Sequence, residues 1–130
     1  MDYIVTKRFK GQALVNEVNL PYGTKLQSVI GYIIHNNMPI CSIYSQNAYD
    51  YFARNDDNNG LERGKLTQEI RKCLEKRDIN YLSRWNKVWE DKQCQKYKRT
   101  EYEDYWLWNY EFYNAPIEDL RYIANLVGAK

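Results

Sequence analysis

Residues 97–113 read YKRTEYEDYWLWNYEFY, and eight of the seventeen are Tyr, Trp or Phe. The run follows neither the 3.6-residue period of an amphipathic helix nor the alternation of a strand. Trp and Tyr combine large apolar faces with polar groups, so they suit either a core with hydrogen-bonding demands or a wet interface. We expect this segment to anchor the helical half of the chain and to form one wall of a binding site.

Helical patterns occupy the chain on either side of this segment. Ser45 can cap a first helix. An apolar stripe of helical spacing predicts a second helix, formed by Leu66, Ile70, Cys73 and Leu74. Gly64 weakens the first turn of that helix, so we expect it to begin later than Leu61.

Two further helices complete the helical part. Asp78 can cap a third helix that carries Leu82, Trp85 and Trp89 on its inner face. Asn114-Ala115-Pro116 is predicted to start the last helix, because Pro fits a first helical turn. Its apolar stripe is predicted to be Ile117, Leu120, Ile123 and Val127, and Gly128 should end it.

The N-terminal third has strand patterns instead. Residues 2–44 predict four or five short antiparallel strands. The β-branched run Val29–Ile34 is typical of one buried strand, and Asn36-Asn37 of a tight hairpin. Strands followed by helices predict an α+β fold, with an N-terminal antiparallel sheet and three to four C-terminal helices. We expect one domain over residues 1–130, β-rich over 1–44 and helical over 45–130.

Composition excludes several classes of protein. A formal charge of +2 argues against a protein that neutralises many phosphates of a long nucleic acid. The three cysteines are widely spaced and suggest free thiols in a reducing compartment, without a zinc site. No segment predicts a signal peptide or a membrane span. We therefore expect a soluble, cytoplasmic protein.

Catalytic signals are weak. His35 is the only histidine, and its place just before a hairpin turn is typical of a surface residue at a strand end. The loop RNDDNNG, residues 54–60, resembles part of an EF-hand, but Leu66 stands where the bidentate Glu is required. We predict neither a metal nor another cofactor, and no enzymatic activity.

The same loop is a candidate binding site. Arg54 leads into it and Arg63 leaves it, so these two cations bracket a set of amide and carboxylate groups. Cations of this kind bind phosphate, and the amide of Asn55 could read the polar edge of a base or ribose. The alternative is a solvated turn whose Asn and Asp side chains bond to their own backbone.

The aromatic segment supplies the second group of candidates. Cations can capture phosphate here, an indole can stack on a base, and an amide can read its polar edge. The residues are Lys98, Arg99, Trp106, Trp108 and Asn109. The alternatives are that both tryptophans are core anchors while the cations pair with nearby acids, or that the aromatic surface binds a protein.

Two stretches resemble small proteins carried by phages and prophages of Gram-positive gut bacteria. They are FARNDDNNGLERGKL, residues 52–66, and YKRTEYEDYWLWNYEFYNAPIEDLRYIANLVGA, residues 97–129. The size and the β-then-α layout also resemble the viral anti-Thoeris sponge family. That resemblance implies sequestration of cyclic ADP-ribose or cyclic oligonucleotide signals without cleavage, by dimers or higher oligomers that hold the ligand between protomers. It assigns no residue of this chain to a site.

The residues and the resemblance together predict a phage-encoded, non-catalytic protein that binds a small nucleotide. In this hypothesis it is a sponge that removes a cyclic nucleotide signal and counteracts bacterial antiphage defence. We expect a homo-oligomer, because a ligand enclosed between protomers is better desolvated. The alternative is a protein-binding inhibitor of a host defence protein, such as a CRISPR nuclease.

Overall fold

A five-stranded antiparallel sheet dominates the N-terminal half of the computed structural model, which describes residues 1–13, 16–98 and 107–129. The chain divides into two units, Met1–Gly64 and Lys65–Lys130. Among the residues that the structure describes, the first unit contains all the strands, and the second contains most of the helical residues. The predicted α+β class, with sheet before helices, is therefore confirmed.

Seven strands form in the described part of the first unit. In chain order they are β1 (Asp2–Val5), β2 (Phe9–Ala13), β3 (Asn16–Leu20), β4 (Lys25–Val29), β5 (Tyr32–His35), β6 (Met38–Ser42) and β7 (Phe52–Arg54). The main sheet has the order β6-β5-β4-β1-β7, and all its pairs are antiparallel. The hairpin of β2 and β3 forms a separate two-stranded sheet.

One face of the main sheet supplies the core of the first unit. Tyr3 of β1 pairs with Leu26 of β4, and cross-strand partners lie on the same face. Both side chains are buried, as are Val5 and Ile33. Asp2, Lys25 and Gln27 point to the opposite face and are exposed. That face is covered in part, because Ile4, which pairs with Lys25, is buried.

The prediction of a single strand over Val29–Ile34 is wrong. The chain turns at Ile30-Gly31, where both residues have positive φ, at 50° and 78°. A two-residue hairpin needs this conformation, and Gly31 adopts it without steric cost. The hairpin predicted at Asn36-Asn37 is confirmed, with φ values of 49° and 64°.

The β-rich part extends beyond residue 44. Ser45 caps the short helix α1 (Gln46–Tyr51) as predicted, and its hydroxyl accepts a hydrogen bond from the backbone N–H of Ala48. The chain then returns to the main sheet as β7, which pairs with β1. This strand was not predicted, because three residues are too few to show a period.

Helix α2 (Gly60–Glu75) begins earlier than predicted. Gly64 does not delay it, because the helix lies against β-structure at this point. A Cβ atom at Gly64 would lie 2.4 Å from Thr6 Cγ2, so only glycine permits this approach. Further along, Ile70 and Leu74 are fully buried, and this part of the predicted stripe is confirmed.

The remaining helices are α3 (Tyr81–Glu90), α4 (Lys92–Gln95), α5 (Tyr110–Tyr113) and α6 (Ile117–Val127). Asn80, not Asp78, occupies the N-cap position of α3, and the Asp78 carboxylate accepts from the Asn80 N–H instead. The inner face of α3 is formed by Trp85 and Val88, whereas Leu82 is 61% exposed. The predicted place of Leu82 was therefore wrong.

Helix α6 matches its prediction closely. All four residues of the predicted stripe are buried. Gly128 ends the helix in the left-handed region with φ of 78°, and the N–H of Ala129 bonds back to the carbonyl of Ala124. None of the helices in the described part of the chain is long and apolar enough to span a bilayer.

Candidate functional site

A groove of about 750 Å³ lies in the first unit, a volume within the usual range for small-molecule sites. The strands β1, β4 and β5 provide its floor, the Asn36-Asn37 hairpin one side, and the loop after β7 another. Eight of its lining residues are polar: Asp2, Lys25, Gln27, His35, Asn36, Asn37, Asn55 and Asn58. Val29 and Ile34 provide its apolar side chains, and Tyr3 and Leu26 also border it although their side chains are buried on the opposite face of the sheet.

Carboxamides dominate the polar lining. Five of the eight polar residues are Asn or Gln, and Lys25, His35 and Asp2 add one ammonium, one imidazole and one carboxylate. Each carboxamide offers both donors and an acceptor, so this set can bond to alternating donor and acceptor groups of a ligand. Gln27 pairs with Ile34 across the floor, so a polar and an apolar side chain stand side by side there.

Backbone geometry explains part of this composition. Asn36, Asn37 and Asn58 all have positive φ, a conformation that Asn tolerates better than most residues. The turns therefore favour asparagine whether or not a ligand binds. Gln27 lies in a regular strand, where the backbone makes no such demand, and its presence in the groove is the more informative observation.

The loop side of the groove is firmly held. The N–H of Asn55 donates to the carbonyl of Asp2 at 2.7 Å, and the N–H of Asp2 donates to the Asp56 carboxylate at 2.6 Å. The side-chain oxygen of Asn55 accepts from the N–H of Gly60 at 2.9 Å, so this buried amide stabilises the start of α2. The wall is thus built into the sheet and the helix.

The predicted cations of the loop take part in ion pairs. Arg63 is only 3% exposed, and its guanidinium binds both oxygens of Asp57 at 2.6 and 3.1 Å and the carbonyl of Arg54 at 2.6 Å. The hydrogen bonds from Arg63 lower the pKa of Asp57 to about 2. Arg54 bonds to Asp56 at 2.8 Å. This geometry favours a structural role for Arg63, and neither arginine lines the groove.

The pKa of Asp56 is also lowered, first by the hydrogen bond from the backbone N–H of Asp2 and also by Arg54. The two carboxylates of the loop are therefore charged and engaged with the protein itself. They are poor candidates for proton transfer, which needs a group whose pKa lies near the working pH.

The aromatic segment is described only in part. Of its five predicted site residues, Arg99 and Trp106 lie outside the described residues. Asn109 caps α5, accepting from the N–H of Phe112 at 2.9 Å and donating to the carbonyl of Tyr97 at 2.5 Å. Asn109 thus has a clear structural role.

Lys98 and Trp108 lie in packed aromatic surroundings of the second unit. The ammonium of Lys98 is 3.7 Å from the centre of the Trp89 ring, a cation–π contact. Trp108 meets Trp85 and Phe112 edge-on, at centroid distances of 5.9 and 5.6 Å. These contacts favour the core-anchor interpretation of Trp108, although half-burial leaves part of its indole accessible.

The thiols show no sign of reactivity. Burial and nearby carboxylates, mainly Asp91, raise the pKa of Cys94 to about 12, and burial raises the pKa of Cys41. A thiol with a raised pKa is a poor nucleophile. Within residues 1–13, 16–98 and 107–129, no three His, Cys, Asp or Glu side chains converge as a metal site.

Of the eight predicted site residues, Asn55 lines the groove. The sequence analysis placed His35 correctly at a strand end but missed its companions Lys25 and Gln27, which come from a different strand. Their common face depends on the register of β4 with β1 and β5, which a single sequence does not reveal. No family model, curated protein or solved structure matches the chain.

Proposed function

We propose that the first unit binds a small nucleotide in the groove and holds it chemically unchanged. In this proposal the protein is a sponge that removes a cyclic nucleotide signal of bacterial antiphage defence, in the cytoplasm of the infected cell. The observation that carries the proposal is a groove whose polar lining combines Lys25 with five carboxamides, among them Gln27 in a regular strand. The resemblance to prophage accessory proteins supplies the biological setting.

Each part of a nucleotide has a suitable partner in the groove. The Lys25 ammonium can form charge-assisted hydrogen bonds with a phosphate. Gln27 and the asparagines can bond to base edges, and the Asp2 carboxylate can accept from ribose hydroxyls. Val29 and Ile34 offer apolar surface for the face of a base.

The mixture of charges favours a small ligand over a polymer. Asp2 lies in the same groove as Lys25, and it would repel one of the successive phosphates of an extended nucleic acid. A cyclic nucleotide presents one or two phosphates together with many donors and acceptors. A groove with one lysine and five carboxamides matches that ratio.

Retention without cleavage agrees with the residues that line the groove. In the described chain, its lining includes no serine, threonine or cysteine that could act as a nucleophile. The backbone N–H of Asp2 donates to the Asp56 carboxylate, so this residue is held in place by the loop. We therefore expect binding energy to be used for sequestration.

Calorimetric titration with cyclic and linear nucleotides tests the proposal. We expect at least one cyclic nucleotide to bind, and mass spectrometry to recover it unchanged. Lys25→Gln should weaken binding about tenfold or more, since a hydrogen bond to a charged group contributes roughly 1.5–3 kcal/mol. Lys87→Gln, an exposed lysine of α3 in the second unit, is the matched control and should bind normally.

Three results would contradict the proposal. Failure of every nucleotide to bind would reject the ligand class. Recovery of an altered nucleotide would show catalysis and reject the sponge. Equal losses of affinity in Lys25→Gln and Lys87→Gln would place binding outside the groove. Arg99→Ala then tests the aromatic segment. A loss of nucleotide binding in this variant, without a loss of stability, would locate the site there.

A protein-binding inhibitor is the second candidate, and two exposed side chains favour it. Ile79 is 98% exposed and Leu82 is 61% exposed, although both are large and apolar. Ile79 lies in the turn before α3 and Leu82 in the first turn of that helix, so both exposed apolar side chains belong to the same short segment. Capture of a single host defence protein by the wild type, and its loss in Ile79→Asn, would support this role.

A further inference from the structure

A long stretch of the first unit contains no charged residue. Residues 26–49 contain no Asp, Glu, Lys or Arg, although charged residues make up 28% of the chain. This neutral stretch includes most of β4 and all of β5, β6 and the Asn36-Asn37 hairpin. Charges on an edge strand help to prevent association, and β6, an edge strand of the main sheet with half-buried and buried residues, has none.

Four large apolar or aromatic side chains of the neutral stretch are exposed. Ile30 is 94% exposed and Tyr44 is 64% exposed, and the other two are Val29 and Tyr32. Val29, Ile30 and Tyr32 surround the turn between β4 and β5. The N–H of Ile43 donates to the carbonyl of Gly31 at 2.9 Å, which brings the chain before Tyr44 beside the same turn. We call these four residues the hairpin patch.

Ile30 is the least expected residue of the hairpin patch. It is β-branched, yet it has a φ of 50°, a region that such residues rarely occupy. The neighbouring hairpin of the same sheet meets the same backbone requirement with Asn36 and Asn37. A side chain that is exposed and held in a strained backbone conformation does not stabilise the fold of its own chain. This combination indicates that Ile30 contacts another molecule.

We propose that the hairpin patch is the contact through which two copies of this chain associate. In a two-fold dimer each residue near the axis faces its own copy. Like charges facing each other would oppose such a contact, and the neutral stretch has none. A charged partner of another kind would find no complementary charge here. Ile30 is the central anchor, with Tyr32 and Tyr44 beside it.

Sedimentation velocity of the full chain over a range of concentrations tests this inference. We expect the wild type to dimerise, and Ile30→Asn to weaken the dimer at least about tenfold, the loss typical of an interface anchor. The same substitution should leave the monomer as stable or more stable, because Asn tolerates the φ of this turn. A fold failure would instead lower its thermal midpoint.

Tyr22→Ser is the matched control, because Tyr22 is as exposed as Tyr44 and belongs to the same unit but lies outside the neutral stretch. It should dimerise like the wild type. Tyr44→Ser provides a second variant that leaves the turn intact and should also weaken the dimer. A wild type that stays monomeric at every concentration overturns the inference, as does a dimer that survives both patch substitutions. A monomer that captures a different protein through Ile30 overturns it in favour of that partner.

Discussion

At the scale of single residues, the absence of a side chain at Gly64 lets α2 lie close to Thr6, just after the end of β1. Ala usually stabilises a helix relative to Gly by about 1 kcal/mol. At this site a Cβ atom would lie 2.4 Å from Thr6 Cγ2 and 2.6 Å from Thr6 Cβ, and both atoms belong to a short, branched side chain. Overpacking of this kind costs about 1–3 kcal/mol, so the contact outweighs the propensity.

We therefore expect Gly64→Ala to lower the free energy of unfolding by about 1–2 kcal/mol. Urea denaturation measures the change. Lys65→Ala is the control, because Lys65 is the next residue of the same helix and is exposed. It should change stability by only a few tenths of a kcal/mol. A stability gain in Gly64→Ala would show that propensity decides and that the helix can move away from Thr6.

At the scale of elements, the sequence predicts those parts whose residues satisfy local and tertiary demands together. Helix α6 has a regular apolar stripe and a terminal glycine, so its pattern, its cap and its burial agree. The Asn36-Asn37 hairpin likewise has residues that its backbone requires. The Ile30-Gly31 hairpin was missed because Ile30 satisfies no local rule for a turn, and β7 because its pairing with β1 is entirely tertiary.

The loop between β7 and α2 gives a pH dependence. Arg63 lowers the folded-state pKa of Asp57 to about 2, whereas an unfolded Asp has a pKa of about 3.9. Because the folded value is the lower one, this pair stabilises the fold fully above the unfolded pKa, and its contribution disappears as the pH falls through the folded pKa. We expect the free energy of unfolding to decline between about pH 4 and pH 2 partly for this reason.

Asp57→Asn should make that decline shallower, because the substitution removes the titrating group while keeping its shape. Urea unfolding at a series of acidic pH values measures both slopes. The variant should be less stable than the wild type at neutral pH and approach it near pH 2, since only the wild type has the ion pair with buried Arg63; the partial exposure of Asp57 limits the difference. Parallel slopes for the two proteins would show that the Asp57–Arg63 pair does not contribute to acid unfolding.

At the scale of the whole molecule, the candidate site could be predicted only in fragments. Asn55 was predicted from a loop that is rich in turn formers, whereas His35 was predicted only as a surface residue at a strand end. Lys25 and Gln27 join them only because β4 pairs with both β1 and β5. The pairing register is set by tertiary packing, and a shift of one residue would turn both side chains to the other face. The groove is therefore a property of the folded sheet.

The division into two units also predicts where a core substitution lowers local stability. Each has its own buried core, and Ile33 in the first and Leu120 in the second are both fully buried. Either one changed to Ala should cost about 2–5 kcal/mol, through lost burial and the cavity left behind. Because the lost contacts lie within one unit, we expect hydrogen exchange to rise mainly there.

Amide hydrogen exchange of the two variants makes a reciprocal comparison. Ile33→Ala should increase exchange in the strands of Met1–Gly64 more than in α3 and α6, and Leu120→Ala should do the reverse. Each variant thus serves as the control of the other. If both variants increased exchange equally throughout the chain, the two units would unfold as one cooperative structure, and a ligand bound in the groove would then stabilise α6 as much as it stabilises the sheet.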